Sequence, residues 1–210
     1  RFVGISGYSI DRLIHVAQEV RKRYQRPLHI VQNWARLNLL NSSLERYGIP
    51  ALRKAGISVI CNASPLASGL LRSGRVPCGR LGDWHPAPAG LRNAVQKASE
   101  WVEKQQSSLA VLALRFALAR ASQASQDGVI VRTIVGICSI SDLKNNLQTI
   151  ETILYSDPNA SPEQATDPLD ISRLDRVQVG LEPNDHRLYR GVRAILQEWK
   201  EYDFEKGKRR

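Results

Sequence analysis

Residues 57–61, ISVIC, form a short apolar run rich in β-branched side chains and preceded by Gly56. Such a run predicts a strand buried on both faces. It stops in small and polar residues, Asn62, Ala63, Ser64 and Pro65, followed by Ala67, Ser68 and Gly69. A strand that ends this way leaves room for a ligand at its C-terminal tip. Exposed backbone amides and the Ser64 hydroxyl can donate hydrogen bonds there. In parallel α/β proteins that end of the sheet is where ligands bind. Three further runs, residues 2–5, 28–31 and 129–135, have the same character, and each is followed by a helical pattern. Strands alternating with helices predict a parallel sheet and an α/β fold.

Between the strands the punctuation is legible. Ser9 predicts the cap of a helix reaching Tyr24, with Ile10, Leu13, Ile14, Ala17 and Val20 on one face. Pro27 stops it, and Gln32 and Asn33 stand at the end of the second strand. Ser42 and Glu45 have capping-box spacing. Gly48 is expected to break the turns that follow, Pro50 to restart them, and Gly56 to close them in a left-handed cap. Residues 72–88 make a long Gly- and Pro-rich loop carrying Trp84 and His85. Leu91, Val95, Ala98 and Val102 mark one helix face, and residues 108–120 a second, Ala- and Leu-rich helix. Residues 136–139 lead into a helix with Leu143, Leu147, Ile150 and Leu154 on one stripe. Residues 156–186, rich in Pro and acidic side chains, predict an extended surface insertion. Residues 187–210 hold a last helix, with Leu188, Val192, Ile195 and Trp199 on the face expected to dock, and a basic tail. Residues 1–155 thus contain four βα units. Those are half of an eight-unit barrel, and a free-standing doubly wound sheet is the alternative with the same pattern.

Composition narrows the partners. The 210 residues suffice for one medium domain or part of a larger one. The chain has no Met and opens on Arg1-Phe2, straight into a strand-like run, so it is expected to be an incomplete sequence cut inside a fold. The net charge of +10 raises nucleic acid as a partner. However, Lys and Arg are dispersed over helical stretches, and the dense cluster at Lys206, Lys208, Arg209 and Arg210 reads as a solvated tail. Three separated cysteines, Cys61, Cys78 and Cys138, form no disulfide framework and no zinc motif. That fits a reducing, cytoplasmic compartment. The longest apolar run, residues 109–119, is interrupted by Arg115 and too short to span a bilayer.

The segment SPLASGLL at residues 64–71 resembles the seventh-strand region of the aldo-keto reductases. NASPLA together with Trp84-His85-Pro86-Ala87 is similar to that family's aldose 1-dehydrogenase branch. The resemblance covers residues 2–155 and the last helix. It implies that the four units are strands five to eight, the C-terminal half of a (β/α)8 TIM barrel, followed by an extended insertion and a C-terminal helix. It implies NAD(P)-dependent oxidation of D-arabinose, L-galactose or a related sugar to its lactone. Ser6 and Gln32 match positions at the nicotinamide carboxamide, with Gly7 where Asn is usual. Ala63 takes the place of an aromatic residue that stacks on the nicotinamide. Ser64, Leu66 and Ser68 match pyrophosphate contacts, and Asn146 the residue that reads the adenine edge. Gly136 and Asp142 stand where NADPH-using members place Lys and Arg. A 2′-phosphate carries about −1.5 to −2 charge and would be repelled by Asp142, whereas a free ribose hydroxyl can donate to it. NAD is therefore favoured over NADP. Asp142 also sits at capping distance from Ser139, a purely structural role. Trp84 and His85 are substrate-side candidates, with loop packing as the alternative for each. The family's Asp, Tyr, Lys and His tetrad comes from strands one to four. Tyr8, Tyr24 and Tyr47 do not stand in for it, so no catalytic residue is assigned and the chain alone is expected to be inactive. A non-catalytic, nucleotide-binding regulatory subunit is the second reading.

Overall fold

The computed structural model describes residues 1–72, 85–154 and 183–207. Four strands, β1 (Gly4–Gly7), β2 (Ile30–Trp34), β3 (Val59–Ala63) and β4 (Ile130–Ile134), pair in that order, and every pairing is parallel. Sequential parallel order sends all four strand tips to one rim. Each strand starts one or two residues beyond the start of its apolar run. Leu28, Ile57 and Val129 are buried, but they precede the hydrogen-bonded ladder. Hydrophobic runs report burial, not ladder bonds, so Gln32, Asn33 and Asn62 fall inside strands rather than after them. The first strand is a sheet edge and not a buried strand: Phe2 is 81% exposed and Val3 58%.

The two faces of the sheet differ. Residues in parallel register share a face, so Val31, Ile60 and Val131 form one row. They are buried against α1 (Ile10–Tyr24), α2 (Ile49–Lys54) and the end of α4 (Leu109–Ala124). On the opposite face, Ile30, Gln32, Val59, Cys61 and Arg132 stay partly exposed. A doubly wound sheet covers both faces with helices, and among the described residues this sheet is covered on one.

Local chemistry explains some helix ends. The Arg12 N–H donates to the Ser9 hydroxyl at 3.3 Å, capping α1. Gly56, at φ +87°, closes α2 as expected. Ser42 and Glu45 do not form their capping box. Ser42 donates from its N–H and hydroxyl to Glu201, and Glu45 accepts from Arg120. Tertiary partners outcompete the local motif. Gly48 does not break the helix either. It is right-handed helical and ends a wide turn, Leu44–Gly48, that runs on into α2. Ile10 and Leu44 would lie 3.0 Å from a Cβ there, so close packing explains the glycine. In α3 (Ala89–Lys104) the stripe Leu91, Val95, Ala98 and Val102 is fully buried. The stripe of α5 (Ile140–Leu154) is not: Leu143 and Leu147 are 39% and 50% exposed, and Thr149 turns inward instead.

A further helix, α6 (Pro183–Leu196), begins at Pro183 rather than at 187. It lays Leu188, Val192 and Leu196 into the cluster built on α3 and α4, and Trp101 of α3 leaves no room for a Cβ at Gly191. Arg115 of α4 pairs with the buried Asp185 at 2.8 Å. After α6 the chain crosses to the loop that follows β2. Glu201 accepts from the Ser42 N–H, the Ser42 hydroxyl, Arg46 and Arg193. Asn41 donates to the Tyr202 carbonyl, Arg36 pairs with Asp203, and Phe204 opens the short α7 (Phe204–Gly207) in a buried position. Cys78, most of the 156–186 insertion and the end of the basic tail lie outside the described residues. Among the described residues no helix is long and apolar enough to cross a membrane.

Burial alone would raise the Glu201 carboxyl, but bonds from Ser42 and Arg193 and the charge of Arg46 outweigh it and hold it below the ordinary carboxylate range. A carboxyl depressed in the folded state stabilises above its unfolded pKa, about 4.3, and that contribution is lost as pH falls through the folded value. Urea midpoints should therefore drop below about pH 5 more steeply in the native protein than in Glu201→Gln, by roughly one proton in the linkage slope.

Candidate functional site

One register row crosses the sheet just below the rim: Ser6, Gln32, Cys61 and Arg132, all on the face without helices. The Gln32 side-chain amide points at the Ser6 hydroxyl at 3.5 Å. The two carboxamide candidates are thus side by side. Gly7 ends β1, and its carbonyl accepts from the Asn33 side chain at 3.2 Å, with the Tyr8 carbonyl accepting at 3.1 Å. Asn62 likewise donates to the Leu37 carbonyl at 2.9 Å. These two buried asparagines fix the loops at the rim, a role that an apolar-run reading passes over. In the next row Trp34 is in register with Ala63. Its indole meets Tyr8 edge-on at 5.1 Å and Phe204 at 5.6 Å, so an aromatic ring stands beside the small residue. Burial raises the Cys61 thiol above its usual range, with the charge of Arg132 partly opposing.

The turn after β3 is backbone-strained. Ser64 (φ 63°), Ala67 (49°) and Ser68 (61°) are left-handed without being glycine, and Gly69 follows at 87°. Such conformations cost on the order of 1–3 kcal/mol each and persist where surroundings hold them, often at ligand sites. The Ser68 N–H donates to the Ser64 hydroxyl oxygen at 2.7 Å. The Ser64 N–H donates to the Ile134 carbonyl at 3.3 Å, which ties the turn to β4. The amides of Ala67, Gly69, Leu70 and Leu71 are also taken up within the turn. The expected exposed amides are therefore mostly engaged. The Ser64 hydroxyl, having accepted one bond, keeps its own proton to donate outward.

At the β4 tip, Gly136 is exposed with open space around it. The Asp142 N–H donates to the Ser139 hydroxyl at 3.0 Å, and the Cys138 N–H donates to the Asp142 carboxylate at 3.3 Å. Ser139 thus caps α5, and the Asp142 carboxylate holds the Cys138 amide just before the helix, beside the open Gly136 turn. Leu66 and Asn146 line one groove of about 440 Å³ between α4 and α5, together with Val111, Arg115 and Asn145. The two residues assigned to pyrophosphate and adenine share that cleft. A larger, more open groove of about 590 Å³, lined by Arg46, Arg190, Arg193 and Lys200, contains none of the expected residues.

His85 is 3% exposed and turned inward. The Ala87 N–H donates to its Nδ1 at 3.1 Å, and its Nε2 lies 3.3 Å from the Ala67 carbonyl. Both ring nitrogens are thus committed to backbone, and the imidazole contacts the turn after β3 at the Ala67 carbonyl. Trp84 lies outside the described residues.

Hydroxyl and amide groups gather at the C-terminal rim of this parallel α/β sheet, and a cleft lies between α4 and α5. The aldo/keto reductase family profile matches residues 1–165, and the chain belongs to this family of oxidoreductases. It is 32% identical over 152 residues to D-arabinose 1-dehydrogenase of Saccharomyces cerevisiae, covering 71% of this chain and 42% of that protein. It is 28% identical over 150 residues to L-galactose dehydrogenase of Arabidopsis thaliana, with the same coverage of 71% and 42%. The chain thus spans less than half the length of the curated relatives it matches.

The strain at Ser64 is separable from its hydrogen bond. Ser64→Ala should lower stability by about 1 kcal/mol through the lost acceptor, whereas Ser64→Gly recovers roughly as much by relieving the left-handed backbone. Chemical denaturation of the two variants should rank glycine above alanine. The reverse order would show that the positive φ is not strained.

Proposed function

We propose that this chain is the cofactor-binding half of an NAD-dependent aldose 1-dehydrogenase, strands five to eight of a (β/α)8 barrel. Residues 1–155 supply the half barrel. α6 docks on α3 and α4 as the C-terminal helix. The observation that carries the reading is the pairing of two features on one rim. The Ser6–Gln32 pair lies on the helix-free face, and the cleft shared by Leu66 and Asn146 lies beyond the strained turn. In a barrel the helix-free face is the interior, which accounts for polar groups there.

Ser6 and Gln32 would hold the nicotinamide carboxamide, Ser64, Leu66 and Ser68 the pyrophosphate, and Gly136, Ser139, Asp142 and Asn146 the adenosine. A nicotinamide held there would supply the acceptor for the hydride from C1 of the sugar, D-arabinose, L-galactose or a related aldose, whose oxidation gives the lactone. These residues bind and orient, and the proton acceptor comes from outside them. Asp142 disfavours a 2′-phosphate. Arg115 also reaches the cleft, but its charge is already matched by Asp185.

Fluorescence titration should give tighter binding of NADH than of NADPH. Asp142→Asn keeps an acceptor for the Cys138 N–H and removes the charge, so it should improve NADPH binding about twofold to fivefold, the worth of one exposed charge pair. NADPH binding about tenfold tighter than NADH would overturn the charge argument. With the complete coding sequence, reduction of NAD by a panel of aldoses tests the reaction. No reduction with any sugar would leave only the nucleotide-binding reading.

A further inference from the structure

The strained turn needs something to hold it. Ala67 has φ 49° and is fully buried, so its backbone is neither relaxed nor free to yield into solvent. Its carbonyl accepts locally from the Leu70 N–H at 3.2 Å. The other group on that carbonyl comes from outside the turn, His85 Nε2 at 3.3 Å. Because Nδ1 accepts from the Ala87 N–H, the ring proton sits on Nε2 and is donated to Ala67. Arg92 of α3 locks this arrangement from behind. It donates to the His85 carbonyl at 2.9 Å and to the Ala87 carbonyl at 3.0 Å. On the other side the imidazole stands edge-on to Phe204, with centroids 5.7 Å apart. Phe204 in turn packs on Trp34 at the β2 tip. One line of contacts therefore runs from the C-terminal segment through His85 to the turn after β3.

We propose that His85 is a positioning residue for the dinucleotide: its bond to Ala67 sets the shape of the phosphate-facing turn, and its packing on Phe204 makes that shape depend on the C-terminal segment. The proposal rests on the cofactor reading of the turn given above. It has a signature that simple packing lacks. Protonating the ring would place a second donor against the Ala87 N–H, so the brace works with neutral imidazole. Burial, opposed by the Ala67 bond and aided by the charge of Arg92, holds the His85 pKa below the usual histidine range. Among the described residues the charged group beside the ring is Arg92. Asp203 and Glu205 flank Phe204 in sequence, and Asp203 is paired with Arg36. Loss of function belongs below the unperturbed value of about 6.5, because the folded ring resists protonation.

The test is calorimetric titration with ADP-ribose, which carries the pyrophosphate but no nicotinamide, near pH 7.5 and near pH 5. His85→Ala should weaken binding about tenfold at the higher pH. His85→Gln places an amide donor near the Nε2 position and should stay within about threefold of the native protein. The native protein should lose affinity at the lower pH, and His85→Gln, which does not titrate, should lose much less. Phe204→Ala should also weaken binding, and its effect should not add to that of His85→Ala. A folded His85→Ala that binds as tightly as the native protein overturns the proposal. So does a His85→Gln variant with the native pH profile, a result that decides the matter even if the alanine variant fails to fold. Failure of the native protein to bind ADP-ribose or NADH at either pH would instead remove the cofactor reading beneath it.

Discussion

One-sided burial of a parallel sheet is the constraint on which the rest depends. Val31, Ile60 and Val131 sit in one register row and are sealed under α1, α2 and α4. Burying that row fixes which side chains face the other way. Period-two alternation then puts Ser6, Gln32, Cys61 and Arg132 together on the helix-free face. A slip of one residue in any strand would exchange the two sets, and the polar row would face the core. Sequential parallel order adds the second half of the constraint, since it delivers every strand tip to the same rim.

At that rim the backbone is held by side chains from distant parts of the chain. Asn33 secures the end of β1, Asn62 secures the loop after β2, and His85 braces the turn after β3. The C-terminal segment closes over the same region through Glu201, Asp203 and Phe204. Three left-handed non-glycine residues in one short turn are tolerated because these contacts over-determine it. The rim groups offer hydrogen bonds and shape, which suits holding a cofactor.

Helices were the most legible part of the sequence, because a 3.6-residue stripe survives wherever one face is buried. Leu91, Val95, Ala98 and Val102 are the clearest case. Strand limits were less so, since Leu28 and Ile57 are buried ahead of the ladder. Ser42 and Glu45 satisfied a local rule and were claimed by Glu201 and Arg120, partners far away in sequence that no local pattern reports. Leu143 and Leu147 had the right periodicity but are left exposed among the described residues. Of the candidate site, the resemblance singled out Ser6 and Gln32, which the sheet places side by side, and the turn at SPLA. The inward commitment of His85 was not legible there, because it depends on Phe204 arriving from the other end of the chain.

Hydrogen–deuterium exchange of the chain with and without NADH tests the central claim most directly. A dinucleotide lying along the rim should slow exchange together at Ser6 and Gly7, at residues 64–69 and at residues 139–146, segments that meet only in the folded sheet. Unchanged exchange at saturating NADH, or protection confined to the groove of Arg46, Arg190, Arg193 and Lys200, would contradict it.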